Sequence, residues 1–250
     1  MTASKSMLHD LQIFNFHVRQ ITTEMGSKSS NNHRPDKVAL YSALLGLFAG
    51  INAVLGPAVL KYWQLPTYFA CLALFHFLEY YITARYNPTK VSLDSFLFRN
   101  GNSYFLAHAL ATSEAIGSLW LTPSMTGLDQ LSLFGLFLVV LGQLVRSLAM
   151  IHASSNFSHI IETNQRQSHE LVTTGIYSIS RHPSYMGYFL WAIATQILLL
   201  NPISLVVFTV VLWRFFRHRI IYEENYLVEL FGQQYLDYRA RVRSGIPFIP

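Results

Sequence analysis

The sequence predicts an all-α fold: a polytopic transmembrane helical bundle of four spans, followed by a C-terminal membrane-embedded helical hairpin. That makes about six transmembrane helices, with a polar cap on one side. Three observations carry the prediction. First, 52% of the 250 residues are hydrophobic and only 12% are charged, whereas soluble domains carry about 25% charged residues. Second, four apolar segments each approach the roughly 20 residues that a span needs. Third, the basic residues segregate to one side of those segments.

Taken in order, residues 1–36 form a polar arm rich in Ser, Asn and His, expected to be largely disordered and cytosolic. It lacks the positive start, apolar core and cleavage site of a signal peptide. Within it, Met7–Val18 could form a short interfacial helix. A four-span region follows at 37–151, with spans predicted over Val38–Leu60, Leu65–Ala84, Tyr104–Leu121 and Leu131–Ile151. Residues 152–250 form the third unit. It opens on a polar stretch, His152–Arg181, unsuited to lipid, and continues into two apolar arms that meet at Asn201-Pro202. Each arm is about 14–16 residues, or roughly 21–24 Å of helix. Arms that short, joined by an Asn-Pro break, predict a tight hairpin. A polar tail with a helical run through EENYLVELFGQQYLDYRARVR closes the chain.

Sidedness follows from charge. In this topology 16 of the 18 Lys and Arg residues share one side; Lys61 lies opposite and Arg146 falls within the fourth span. Basic loops mark the cytosolic face, so both termini and the polar region 152–184 are expected there. The net charge of +5 therefore reads as membrane topology, and nucleic acid is excluded as a partner. The lone cysteine, Cys71, rules out a disulfide framework and reads as a small packing residue. No strand and Gly-rich turn opening a helix is present, so a Rossmann nucleotide fold is excluded.

Ionisable residues inside spans are costly and are usually paired or functional. Glu79 and Glu114 suit inter-helix pairing, while Arg146 could reach a site or snorkel to the interface. The densest polar block is FSHIIETNQRQSHELVTTGIYSISRHP followed by SYMG, and the return arm carries WRFFRHRIIYEENY. Arms of matching length place the RHPSY cluster beside the segment Arg217–Glu224. On a helix, Arg219 and Glu223 stand at i and i+4 on one face. Arg can bind a carboxylate bidentately, and Glu can hold a cationic group. His152, His159, His169 and His182 match no zinc spacing, and Ser184 lacks a nucleophile elbow; neither a metal nor a serine hydrolase is expected.

The stretch HELVTTGIYSISRHPSYMGYF, then NP, WRFFRHR and an EE pair, resembles the isoprenylcysteine carboxyl methyltransferases. LFHFLEYYITARYNPTKVSLDSFLFRNG and SNFSHII are similar to fungal members, and the resemblance runs from about residue 37 to the end. It implies methylation, by S-adenosylmethionine, of the C-terminal carboxylate of prenylated cysteine, farnesyl or geranylgeranyl, on CaaX-processed proteins in the endoplasmic reticulum membrane. It also implies a non-Rossmann catalytic cap facing the cytosol. The donor would be held by Glu162, His169, Glu170, Leu171, Val172, Tyr177, His182, Pro183, Ser184, Tyr185 and Glu223. Arg219 would grip the substrate carboxylate. Glu223, Arg181 and Arg146 join it in the expected catalytic set, with Arg217 and Glu224 as support. Partners are the prenylated protein and the lipid bilayer, and a homo-oligomer is permitted. RHPxYxG alone also fits NADPH-dependent sterol reductases and phospholipid N-methyltransferases, which stay open as alternatives, as does a membrane scaffold or transporter.

Overall fold

A computed structural model of the chain describes residues 34–59, 62–98, 100–121, 129–159 and 170–250. The expected interfacial helix at Met7–Val18, most of the polar arm, Glu162 and His169 lie outside the described residues. Among the described residues all regular structure is helical. We number the helices α1 (Pro35–Val59), α2 (Gln64–Tyr86), α3 (Asn102–Leu121), α4 (Asp129–Ala153), α5 (Pro183–Leu199), α6 (Pro202–Phe231) and α7 (Gln233–Arg241). The first four start and stop within three residues of the apolar segments read from the sequence. Pro35–Leu55 and Asp129–Asn156, each of mean hydropathy 2.0, are long and apolar enough to cross a membrane.

Helix α4 is inside-out by the standard of a soluble protein. Its buried face holds Ser132, Gly135, Gly142, Gln143 and Arg146, while Leu133, Phe137, Val140 and Leu144 point outward, with Phe137 62% exposed. Large apolar residues outside and small or polar residues at the helix contact are the pattern of helices packed within lipid. The small residues bring α4 and α5 together backbone to backbone. A Cβ on Gly142 would sit 2.6 Å from the Trp191 nitrogen, and one on Gly187 would sit 2.5 Å from the Arg146 nitrogen. Any larger residue at either position would push the helices apart. Phe75, Ala111, Val139, Trp191 and Phe208 form one cluster joining α2 through α6.

The α5–α6 corner is polar yet buried. Leu200 turns the chain in a left-handed conformation (φ 57°), and Asn201 donates from Nδ2 to the Ala111 carbonyl at 2.8 Å and to Gln196 Oε1 at 3.1 Å. Glu114, read as a span-pairing charge, instead caps α6: its carboxylate accepts from the backbone N–H of Ile203 at 2.8 Å and of Ser204 at 2.7 Å. These are orphan donors at the positive end of the helix dipole. Helix α6 then runs unbroken for 30 residues, about 45 Å. The helical run expected through EENYLVELFGQQYLDYRARVR is divided between the end of α6 and α7. Nothing between Pro202 and Gly232 interrupts the helical pattern, and the break comes at Gly232 (φ 53°) before α7. The last residues fold back over α5 and α6, with Ile246 and Ile249 packed on Phe216 and Ile220.

Candidate active site

The long reach of α6 carries Arg219 and Glu223 to the start of α5, where Pro183 occupies the first helical turn and needs no N–H partner. His182 immediately precedes that turn and its ring lies between two carboxylates, with Nε2 3.1 Å from Glu224 Oε1 and Nδ1 3.6 Å from Glu223 Oε2. The Tyr185 ring stacks on His182 at 5.6 Å, nearly parallel, and on Phe216 at 5.2 Å. Tyr177 enters from the segment after α4; its hydroxyl donates to the Ala149 carbonyl at 3.3 Å. Its own carbonyl accepts from Tyr238 Oη at 2.5 Å.

The four arginines singled out in the sequence do different work. Every N–H of the Arg181 guanidinium has an acceptor: Glu224 Oε1 from Nε at 2.9 Å and Nη2 at 2.7 Å, and the carbonyls of Arg239, Val242 and Pro250. Arg181, expected among the catalytic residues, has no donor left for a ligand and instead straps the chain's end onto the site. Arg146 is likewise committed. It grips Glu79 bidentately, at 2.7 and 2.8 Å, and donates from Nη1 to Ser184 Oγ at 2.6 Å and to the Ser184 carbonyl. It joins α2, α4 and α5 within the bundle, and it takes up the Ser184 hydroxyl expected to face a cofactor. Arg217 is exposed, its guanidinium over the Trp213 ring at 5.7 Å.

Arg219 differs. Its Nε donates to Tyr185 Oη at 2.8 Å and one Nη2 hydrogen goes to the His159 carbonyl at 2.7 Å. Both Nη1 hydrogens and the second on Nη2 have no partner among the described residues. One helical turn on, Glu223 Oε2 is buried and accepts no hydrogen bond among the described residues. A fixed guanidinium edge and an unsatisfied carboxylate oxygen thus sit side by side. That pair can receive an anion and a cation together. Of the remaining sequence-predicted residues, Glu170 is exposed, its N–H donating to Asn156 Oδ1 at 3.3 Å, while Leu171 and Val172 are half-buried.

Electrostatics follow the geometry. Burial opposes ionisation of Glu224, but hydrogen bonds and charge from His182 and Arg181 outweigh it and hold the carboxyl at about 2. Desolvation pushes the His159 imidazole down to about 4 despite the nearby Glu79 carboxylate, so the ring is neutral at physiological pH. His159 was weighed in the sequence only as a metal ligand. The SNFSHII fragment was the available signal, but spacing could not show that its carbonyl would anchor Arg219.

Known proteins match this arrangement. The family model described as the isoprenylcysteine carboxyl methyltransferase family covers residues 135–229, which include most of α4, all of α5 and Arg219 to Glu223. A protein-S-isoprenylcysteine O-methyltransferase of Saccharomyces cerevisiae is 47% identical over 219 residues, 85% of this chain and 91% of its own length. The chain belongs to the isoprenylcysteine carboxyl methyltransferase family. The human protein of the same name is 39% identical over 219 residues, covering 87% of this chain and 77% of its own length. A solved structure of the eukaryotic intramembrane Ras methyltransferase of this family superposes with a TM-score of 0.84 at 33% identity. It covers 97% of this chain and 86% of the other. The carboxyl methyltransferase family is therefore shared in sequence and in fold across nearly the whole chain.

Proposed function

We infer that this chain methylates the C-terminal carboxylate of prenylated cysteine on CaaX-processed proteins, using S-adenosylmethionine, at the cytosolic face of the endoplasmic reticulum membrane. The observation that carries the reading is the uncommitted edge of Arg219 beside the unpartnered carboxylate oxygen of Glu223. The names of the family relatives state O-methylation of protein S-isoprenylcysteine.

The chain's residues suit both substrates. Arg219, held by Tyr185 and His159, presents its free N–H groups to the prenylcysteine carboxylate. Glu223, with Tyr177, His182 and Tyr185 around it, offers negative charge and aromatic faces to the donor, which is cationic at sulfur and at its amino group. Bound S-adenosylmethionine supplies an electrophilic methyl group. A carboxylate with a pKa of about 3.5 is already ionised at neutral pH, so Arg219 has to align it rather than deprotonate it, and no general base is required. With the donor held by Glu223 and its neighbours, Arg219 would direct one carboxylate oxygen toward the methyl group, and no side chain would have to move a proton. Buried His182 and half-buried Tyr185 line the pocket and limit the access of water to the nucleophile.

The lipid half of the substrate needs an apolar surface at the same depth. Outward Leu, Phe and Val side chains on α1, α4 and α6 support reading α1 to α6 as about six membrane-spanning helices. Helix α6 is about 45 Å long and outruns the roughly 30 Å hydrocarbon core, so its far end, with α7 and the tail, forms the cytosolic cap. Neutralising the terminal carboxylate strengthens anchoring of the modified protein. Membranes holding this chain and labelled donor distinguish the readings: label enters N-acetyl-S-farnesylcysteine if the inference is right. Label entering phosphatidylethanolamine, or calorimetric binding of NADPH in place of S-adenosylmethionine, contradicts it.

A further inference from the structure

His159 ends the described segment after α4 and touches the site at two points. Its backbone carbonyl accepts from Arg219 Nη2 at 2.7 Å. Its ring lies against Glu79, with Nδ1 3.8 Å from Oε2, and crosses the Phe157 ring edge-on at 5.0 Å. Glu79 is itself fixed by the bidentate Arg146, so the imidazole is oriented from within the bundle. The remaining ring nitrogen, Nε2, is buried and has no hydrogen-bond partner among the described residues. Buried polar atoms are rarely left unsatisfied in a folded protein, and this one belongs to the residue whose backbone carbonyl holds Arg219.

The sense of that contact follows from the ring's surroundings. The imidazole is neutral, so it carries one N–H and one lone pair. The Glu79 carboxylate facing Nδ1 favours the proton there, because a lone pair against a carboxylate is repulsive. Nε2 is then an acceptor. An acceptor cannot bind a carboxylate, yet it sits on the residue whose carbonyl holds the carboxylate-binding Arg219. The donor nearest a C-terminal carboxylate is the amide N–H of the same residue. We propose that His159 is a substrate-positioning residue whose Nε2 accepts a hydrogen bond from the amide N–H of the terminal prenylated cysteine while Arg219 holds the carboxylate. The pair would fix two points on the cysteine and so orient the reacting oxygen. The proposal rests on the carboxyl-methyltransferase reading.

The test uses full-length protein in membranes and two acceptors. N-acetyl-S-farnesylcysteine has the amide N–H; S-farnesyl-3-thiopropionic acid keeps the carboxylate, thioether and lipid but lacks the amide. H159L should raise KM for the first about tenfold, the scale of one hydrogen bond. KM for the second, and for the donor, should stay within about twofold. H159Q, whose side-chain oxygen can accept, should restore most of the difference. The wild-type protein tests the same bond without a mutation, because N-methylation of the amide must raise KM by a similar factor. Equal losses on both acceptors, a rise confined to the donor, or an unchanged KM on N-methylation would each overturn the role given to His159. If the wild-type protein methylates neither acceptor, the activity itself is wrong, and that outcome is distinct from all the others.

Discussion

Replacing Arg219 by alanine isolates the step on which the activity depends. The guanidinium keeps three hydrogens without a partner among the described residues, enough for a two-pronged grip on a carboxylate. Hydrogen bonds to charged groups contribute about 1.5–3 kcal/mol each, so two amount to about 3–6 kcal/mol. Water entering the vacated space returns part of this. The expected outcome is a loss of about 100- to 1000-fold in kcat/KM for N-acetyl-S-farnesylcysteine. Donor affinity should change little, because Glu223 and the stacked His182–Tyr185 pair remain. R219K keeps the charge but cannot hold Tyr185, His159 and a carboxylate with one planar fork, so it should fall between alanine and wild type. The assay is steady-state methylation with each substrate varied in turn, alongside the size-exclusion profile as a control for folding. A well-folded R219A that retains activity within about threefold, or that loses donor binding as steeply as acceptor turnover, would refute the reasoning.

Glu223→Gln removes the negative charge but keeps the shape, and should raise the donor KM about tenfold while leaving the acceptor KM nearly unchanged; the reverse split would move Glu223 out of the donor pocket. In the bundle, E79A strands Arg146 as a buried unpaired cation and should cost about 3–5 kcal/mol, whereas E79L/R146M together should cost less. Thermal unfolding in detergent decides this, and a double variant less stable than the single would contradict the pairing. The depressed pKa of Glu224 predicts an acid-sensitive cap. Its ionised form is favoured in the folded protein, so its stabilisation is complete above about 4.5 and lost as pH falls toward about 2. Residual structure measured from pH 7 down to 3 should decline less steeply in E224Q than in wild type, starting from a lower value; parallel curves would exclude Glu224 as a contributor.

Much of this architecture is legible in the residue order. Apolar runs of near-span length mark α1 to α4 because lipid rewards a helix that is apolar on its outer face, whatever its partners. Asn201-Pro202 marks the corner because proline cannot extend α5 and starts α6 well. The i, i+4 relation of Arg219 and Glu223 places them on one face before any tertiary contact is known. What sequence spacing cannot carry is the identity of distant acceptors. Arg181 looks as reactive as Arg219 until the carbonyls of residues 239, 242 and 250 are folded onto it. Glu114 resembles a span-pairing charge until the start of α6 arrives at its carboxylate from 90 residues away. His159 acts through a backbone oxygen, which leaves no mark in composition.

The proposed chemistry is the meeting, in one polar pocket at the end of α6, of a carboxylate and a methyl donor. Its most direct test is donor-dependent, base-labile methylation of N-acetyl-S-farnesylcysteine by membranes containing this chain, compared with membranes containing R219A. Base-labile label that depends on S-adenosylmethionine and disappears with R219A is the predicted result. Label that survives base treatment, or that forms equally well without Arg219, would contradict it.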